Sequence, residues 1–257
     1  KFALAEKNGK VILITSSLSG EGKTFVATNI ALTFALTGQK TLVIGMDIRR
    51  PVLAHNFDFN NDKGVTTYLS GQMSNIQDAI LQSKINENLD VLPAGPVPPN
   101  PNELLLNDRL EEMIESLKSH YDYIIIDCAP SLGLITVNAL TAADSVIIPV
   151  QCEFFALEGL GQLLNTINLV KKHLNKGIEV EGALLTMYDI RTNLSNQVVK
   201  EVKKYFGEKV YKTVIPRNVR LSEAPSYGMP ITVYDPRSKG AKSYIKFAKE
   251  FLKENEI

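Results

Sequence analysis

The residues best suited to chemistry lie between positions 17 and 24, directly after an apolar run at 11–14. This segment reads Ser-Leu-Ser-Gly-Glu-Gly-Lys-Thr, so two glycines precede a lysine and a threonine. A strand that turns through glycines into a helix directs several backbone N–H groups at one anion. The segment therefore predicts a site that binds phosphate groups.

The spacing matches the pattern G-x-x-x-x-G-K-[ST], except that Ser17 stands at the first glycine. Serine adopts positive φ less readily than glycine, so we expect a variant of the usual loop. Lys23 is expected to reach the β- and γ-phosphates, and the Thr24 hydroxyl to bind Mg²⁺. The alternative is an ordinary turn that ends in a surface lysine. The residues expected to contact nucleotide are Ser19, Gly20, Glu21, Gly22, Lys23 and Thr24.

A carboxylate, Asp127, follows the run Tyr121–Ile126 and so ends a predicted buried strand. Ligands of open α/β sheets bind beyond the carboxyl ends of the strands. We therefore predict that Asp127 binds Mg²⁺ opposite Thr24, directly or through water. The alternative is that Asp127 caps the following turn.

A second carboxylate, Asp47, follows the apolar run at 41–46. We place this run on a strand next to the first one, so that Asp47 points at the phosphates and orients a nucleophile, either water or a hydroxyl. The alternative is an ion pair with Arg49 or Arg50.

Strands and helices that alternate along the chain are predicted to position these residues. Continuous apolar runs predict strands covered on both faces, and hence an α/β fold with a doubly wound, mostly parallel sheet of about seven strands in one domain over residues 1–257. A helix is predicted from Thr24 to Leu36, capped by Gly38. The proline-rich segment 93–101 predicts a connector. The predicted strands are 11–16, 41–46, 89–93, 122–128, 144–150, 181–187 and 210–215.

Composition is that of a globular protein, with 257 residues, 44% hydrophobic and 22% charged. No apolar run reaches the length of a membrane span, and the polar N-terminus does not resemble a secretion signal. We expect a cytoplasmic protein. Cys128 and Cys152 lie in apolar runs, which favours buried, reduced thiols.

Positive charge is concentrated between residues 200 and 246, with eleven basic residues against four acidic ones. Such a segment could attract a polyanion such as DNA. The alternative is a set of solvated helix faces.

The deviant phosphate loop, the strand that ends at Asp47, and Asp127 together resemble the ParA/MinD group of P-loop ATPases with a deviant Walker A motif. The chain also resembles their relatives, the bacterial tyrosine kinases of capsule and exopolysaccharide synthesis. Residues 1–126 look like the kinases, notably in Asp47–Pro51 and Leu92–Pro101. Residues 127–257 look like the Soj-type chromosome-partitioning ATPases, notably in Pro149–Glu153 and Ile215–Pro225.

The two resemblances meet near 121–128, which we interpret as the junction of a recombined or engineered chain, a possible chimera. Both parents would supply an equivalent strand there. Separate alignment of each half with the two families tests this interpretation.

The resemblance implies ATP or ADP with Mg²⁺ as ligands, slow ATP hydrolysis with Lys23 and Asp47 as catalytic residues, and a role in chromosome or plasmid partitioning with a ParB-like stimulating protein. It implies that Pro216 and Arg217 lie beside the adenine base. It further implies non-specific, nucleoid-associated DNA binding. The residues it assigns to DNA are Arg191, Lys200, Lys203 and Arg220.

Two departures change these expectations. ParA-type proteins carry a signature lysine where this chain has Leu18, so a nucleotide-dependent homodimer is expected to be weakened. The second-strand motif usually contains two aspartates, but here it reads Gly45-Met46-Asp47. A protein-tyrosine kinase and a nucleotide-binding scaffold without significant turnover therefore remain alternatives to the ATPase.

Overall fold

A computed structural model describes residues 10–16, 20–101, 103–105, 109–129, 133–153, 157 and 159–255. Within these residues one seven-stranded sheet has the order β3-β4-β2-β5-β1-β6-β7, and every neighbouring pair is parallel except β3 with β4. The predicted α/β class and mostly parallel sheet are confirmed. The strands are β1 (Lys10–Ile14), β2 (Thr41–Gly45), β3 (Leu81–Gln82), β4 (Leu89–Leu92), β5 (Tyr123–Asp127), β6 (Ser145–Gln151) and β7 (Glu179–Thr186).

Helices cover both faces of the sheet. They are α1 (Lys23–Leu36), α2 (Val65–Leu69), α3 (Arg109–Lys118), α4 (Leu134–Ala142), α5 (Leu160–His173), α6 (Asn193–Phe206), α7 (Val219–Glu223), α8 (Ile231–Tyr234) and α9 (Lys239–Glu254). None of the described helices combines the length and the hydropathy that crossing a membrane requires.

Successive side chains of each strand enter two different core layers. Val11 and Leu13 of β1 face the first layer, which is completed by α3, α4, α5 and α6. Ile12 and Ile14 face the second layer, which contains α1 and α9. Because both faces are covered, the central strands are apolar throughout, as the sequence predicts.

Helix α1 begins at Lys23 and is followed by Gly38, whose φ of 89° lies in the left-handed region. The Gly38 N–H donates to the carbonyl of Ala35 at 3.0 Å, so the predicted glycine cap is confirmed. The segment 93–101 forms neither helix nor strand, also as predicted.

The predicted strand at 210–215 is wrong. This segment makes isolated bridges, Ala183 with Val210 and Tyr188 with Pro216. The backbone N–H groups of Lys212 and Thr213 donate to the Glu250 carboxylate of α9, at 2.6 and 2.9 Å. The segment is therefore largely apolar but forms no continuous ladder. The seventh strand is β3, whose two residues are too few to show a period.

The expected neighbourhood of β1 and β2 is also wrong, because β5 lies between them. β5 pairs with β1 on one side and with β2 on the other. Both pairs are parallel, so the three strands still end at the same edge of the sheet.

Candidate functional site

The predicted site residues meet at the carboxyl edge of β1, β5 and β2. Asp127 is in register with Ile14 on one side and with Gly45 on the other. Asp47 follows Gly45 by two residues, and the loop before α1 leaves β1 at the same edge. The crossover that places β5 centrally thus puts Asp127 between the phosphate loop and Asp47.

The described part of the phosphate loop depends on two glycines. Gly20 and Gly22 have φ values of 83° and 77°, in the left-handed region that favours glycine. The Gly22 carbonyl accepts from the Val26 N–H at 2.8 Å and so starts α1. The first turn of α1 contains no acidic residue, so its positive end is available to an anion. Ser17, Leu18 and the predicted phosphate ligand Ser19 lie outside the described residues.

Lys23 is not a surface lysine, since 6% of its area is exposed. Its ammonium donates to the Ser16 hydroxyl at 2.8 Å. Burial lowers the pKa of Lys23, although the charges of Glu21, Asp127 and Asp47 act in the opposite direction. A partly desolvated cation at a helix N-terminus interacts strongly with phosphate because little water screens it.

Asp127 is 2% exposed, and its Oδ1 has no hydrogen-bond partner among the described residues. Burial raises its pKa to about 7, and the nearby Asp47 charge adds to the rise. A hydrogen bond with Thr24 and the Lys23 charge act against it. Asp127 therefore retains a carboxylate oxygen without a partner beside the predicted Mg²⁺ ligand Thr24.

These oxygens fit Mg²⁺, which in nucleotide sites is held by one or two protein oxygens together with water and phosphate. A hydroxyl and a carboxylate supply such a set. Within the described ranges, no group of three or more His, Cys, Asp or Glu side chains is arranged to hold a metal. The arrangement therefore fits an ion that arrives with nucleotide better than a site built from protein ligands alone.

Asp47 is half-buried, and its Oδ1 accepts the backbone N–H groups of Arg49 at 3.2 Å and Arg50 at 2.9 Å. Both of these hydrogen bonds come from backbone amides. Such bonds fix the direction of the carboxylate, as orienting a nucleophile requires.

A cavity of about 90 Å³ adjoins the phosphate loop, and Gly22, Val26 and Pro216 contribute to its lining. It also contains Thr186, which is 5% exposed and whose Oγ1 has no partner among the described residues. Pro216 therefore lines a cavity next to the phosphate loop, and its contact with the adenine base stays a prediction. The Arg217 side chain is 63% exposed and lies 3.9 Å from the Glu153 carboxylate.

Three residues that sequence reasoning missed position these parts. The Ser16 hydroxyl accepts from Lys23, and the Gln151 amide donates to the Gly20 carbonyl at 3.3 Å. The fully buried Asn29 of α1 accepts the Ile231 N–H at 2.8 Å, which ties the helix behind the phosphate loop to α8. The one available signal for Asn29 was an amide side chain in the middle of α1, among apolar residues and threonines.

The four residues predicted to contact DNA lie on more than one element. Lys200 and Lys203 are exposed on α6, which packs on the first core layer, whereas Arg220 belongs to α7, whose Leu221 enters the second. Arg191 pairs with Asp189 at 2.7 Å, and Arg220 with Glu223 at 2.9 Å.

Comparison with known proteins places this geometry in a family. A family model described as an AAA domain matches residues 9–180. Soj of Bacillus subtilis, a sporulation initiation inhibitor protein, is 50% identical over 252 residues, covering 94% of this chain and 98% of that protein. The chain belongs to the ParA/MinD-type family of P-loop ATPases.

Further members agree with this assignment. The chromosome partitioning protein ParA of Myxococcus xanthus is 43% identical, over 95% of this chain and 88% of that protein. The septum site-determining protein MinD of Pyrococcus horikoshii, solved with Mg-ADP, superposes with a TM-score of 0.79 at 27% identity, over 96% of this chain and 97% of that one. The Soj and ParA matches extend across residues 121–128. The kinase resemblance of residues 1–126 and the recombined origin stay predictions.

Proposed function

We propose that this protein binds ATP and ADP with Mg²⁺, hydrolyses ATP slowly, and acts in chromosome or plasmid partitioning. The observation that carries the proposal is the pairing of a buried lysine at the N-terminus of α1 with Asp127, a carboxylate of pKa about 7 that has an oxygen without a partner. The 41–50% identity to Soj and ParA proteins supports the biological role.

The chain's own residues perform the chemistry by position and charge. Backbone N–H groups of the loop, together with Lys23, hold the phosphates and offset the charge that develops on them. Thr24 and Asp127 would hold Mg²⁺, which supplies further positive charge to the phosphate oxygens. Asp47, fixed by two backbone amides, orients the attacking water.

The proposal includes three kinds of partner. Arg191, Lys200, Lys203 and Arg220 contact DNA non-specifically, a ParB-like protein stimulates hydrolysis, and a homodimer forms weakly because Leu18 replaces the signature lysine. The protein then works in the cytoplasm, associated with the nucleoid.

The test of hydrolysis compares phosphate release by the parent protein, Asp47→Ala and the control Asp62→Ala. Asp62 is an exposed acid of the same type. We expect Asp47→Ala to bind ATP but lose phosphate release, while Asp62→Ala matches the parent. Binding of ATP without release in all three proteins would establish the scaffold alternative.

The kinase alternative is separated by ATP labelled at the γ-phosphate. Label transferred to tyrosine of the protein or of a peptide, in place of free phosphate, would refute the proposed hydrolysis.

Light scattering after size exclusion, in ATP and in ADP, tests the dimer. We expect the parent to remain mainly monomeric and Leu18→Lys to dimerise in ATP. A parent that already dimerises fully in ATP would contradict the role given to Leu18.

A further inference from the structure

A cavity of about 310 Å³ lies between α2 and the proline-rich segment that follows β4. It is lined at α2 by Thr66, Thr67 and Ser70, and on the other side by residues 96–100. Its volume falls in the range of sites for small ligands. None of the described residues that line it belongs to the phosphate loop or to the cavity beside Pro216. It is therefore a separate candidate site.

Hydrogen bonds hold the two walls of this cavity together. Thr66 donates its N–H to the Ala94 carbonyl at 2.8 Å and its hydroxyl to the Pro96 carbonyl at 2.9 Å. The Asn61 side chain donates to the Gly95 carbonyl at 2.5 Å and accepts the Gly95 N–H at 2.9 Å. A Cβ at Gly95 would lie 2.4 Å from Thr66 Oγ1, so only glycine allows this approach. The cavity is thus formed before any ligand binds.

The hydroxyl groups of the α2 wall use their protons within the protein. Thr67 donates to the Gly64 carbonyl at 2.8 Å, and Ser70 donates to the Thr67 carbonyl at 3.2 Å. Thr66 donates to Pro96, as described above. Each of these oxygens keeps lone-pair capacity and so remains an acceptor.

The opposite wall is also poor in donors. Three of its five residues are prolines, at positions 96, 98 and 99, which have carbonyl groups but no N–H. The amide side chains of Gln72 and Asn100 can turn either their oxygen or their nitrogen toward a ligand. We call this site the acceptor cavity, because it offers more hydrogen-bond acceptors than donors.

The charge of the acceptor cavity has the same preference. Glu103 is the one charged side chain among the described residues that line it. Within the described part of the chain, Glu103 forms no ion pair. The Arg109 guanidinium is near α2 but stacks on the Tyr68 ring, 4.8 Å from its centroid. A ligand with positive charge and several N–H donors therefore matches the cavity.

We propose that the acceptor cavity binds a small organic cation that carries a guanidinium group. A guanidinium is planar and can donate two parallel N–H bonds to a carboxylate such as that of Glu103. Its weakly hydrated faces suit the proline rings and Leu104. An ammonium group fits less well because it is strongly hydrated, and an anion would meet Glu103 with few donors. The inference is independent of the proposed ATP hydrolysis.

Isothermal titration calorimetry of the full chain tests the chemistry of the ligand. The probes are L-arginine amide, L-citrulline amide and L-lysine amide. Citrulline has nearly the shape of arginine, but its ureido group is neutral. We expect arginine amide to bind about tenfold or more tightly than citrulline amide, because charge-assisted hydrogen bonds are lost in the neutral compound. Lysine amide should bind more weakly than arginine amide.

Two variants with matched controls test the location. Glu103→Gln should weaken the binding of arginine amide about tenfold, whereas Glu87→Gln, at another exposed acid, should not. Ser70→Trp places a bulky ring at the cavity and should abolish binding, whereas Ser74→Trp, at an exposed serine that does not line it, should not. Phosphate release by all four variants should match the parent, which shows that they are folded.

Three results would overturn the inference. One is the absence of binding heat with arginine amide, and another is equal affinity for arginine amide and citrulline amide. The third is binding by Glu103→Gln and Ser70→Trp that equals binding by their controls. Acetyl-Gly-Arg-Gly-amide provides a further arm. If this peptide binds and arginine amide does not, the guanidinium comes from a protein partner and the assignment to a small ligand is wrong.

Discussion

The charged groups at the two edges of the sheet differ in how fully other groups of the protein pair with them. At the amino edge, the Lys10 ammonium of β1 donates to Glu181 at 2.7 Å and also to Asn255. The Asn255 amide donates to the other oxygen of Glu181 at 2.9 Å. At the carboxyl edge, Asp127 Oδ1 lacks a partner among the described residues, and burial lowers the pKa of Lys23.

This difference distinguishes structural polar groups from functional ones. A buried polar group without a partner costs free energy, so it persists where a ligand supplies the missing contact. The amino edge gains stability from the network of Lys10, Glu181 and Asn255. The carboxyl edge gives up stability at the proposed phosphate site.

The largest expected effect is the loss of Lys23. Lys23→Ala should lower kcat for ATP hydrolysis by about a hundred- to a thousandfold, because a preorganised charge directed at the phosphates is removed. Steady-state phosphate release measures this. Lys84→Ala, at an exposed site, should change kcat little, and a kcat for Lys23→Ala within threefold of the parent would remove the distinction between the edges.

At the amino edge the effect should appear in stability and not in turnover. Lys10→Met removes the cation that pairs with the half-buried Glu181 carboxylate and should lower the free energy of unfolding by about 1–3 kcal/mol. Urea unfolding measures this change, with Lys84→Met as the surface control. A change in kcat larger than the change in stability would show that the two edges are coupled.

The pH dependence of stability should have opposite signs at the two edges. The folded pKa of Asp127 is about 7 against an ordinary value of 3.8, so the folded protein keeps a proton that the unfolded chain has lost. Without Mg²⁺, its contribution therefore declines as pH rises from about 4 through about 7. At Glu181 burial opposes ionisation, but hydrogen bonds from Lys10 and Asn255 lower the pKa, so its contribution is lost as pH falls.

Urea midpoints at pH 5 and pH 8 in EDTA measure both effects. Asp127→Asn should gain stability over the parent at pH 8, and Glu181→Gln should lose stability there. The same sign of change in both variants at pH 8 would contradict the assignment. Mg²⁺ should bind more tightly as pH rises towards about 7, because it competes with the proton on Asp127.

The smallest expected effect is at Ser16. Ser16→Ala removes the hydroxyl that accepts from Lys23 at 2.8 Å and should raise KM for ATP by about two- to tenfold, as one hydrogen bond predicts. Ser16→Thr should restore most of the difference. If Ser16→Ala equals Lys23→Ala in effect, the hydroxyl is as essential as the charge.

The structural features that the sequence predicted are those that depend on local residue patterns. Apolar runs located six strands, and Gly22-Lys23-Thr24 located the start of α1, because these signals depend on neighbouring residues. Strand order does not depend on neighbouring residues, so the sequence did not show that β5 separates β1 from β2. The segment 210–215 looked like a strand because it is rich in apolar and β-branched residues, whereas its backbone hydrogen bonds with Glu250 depend on α9, which comes later in the chain.

In the site, likewise, local patterns identified some residues, whereas those that depend on distant partners could not be identified. Lys23, Asp47, Thr24 and Asp127 follow from motif and strand ends. Asn29 could not be assigned, since its partner Ile231 is 202 positions away. The burial that lowers the pKa of Lys23 and raises that of Asp127 is likewise a property of the assembled layers.

The central position of β5 has a consequence for synthesis. β1 emerges from the ribosome before its two neighbours, β5 and β6, which begin more than a hundred residues later in the chain. Until then β1 is an apolar strand with both hydrogen-bonding sides open, the state in which chains aggregate or recruit chaperones. We therefore expect ribosome-bound fragments that end before β5 to be sensitive to protease, and nucleotide to protect the nascent chain only after β6 has been made.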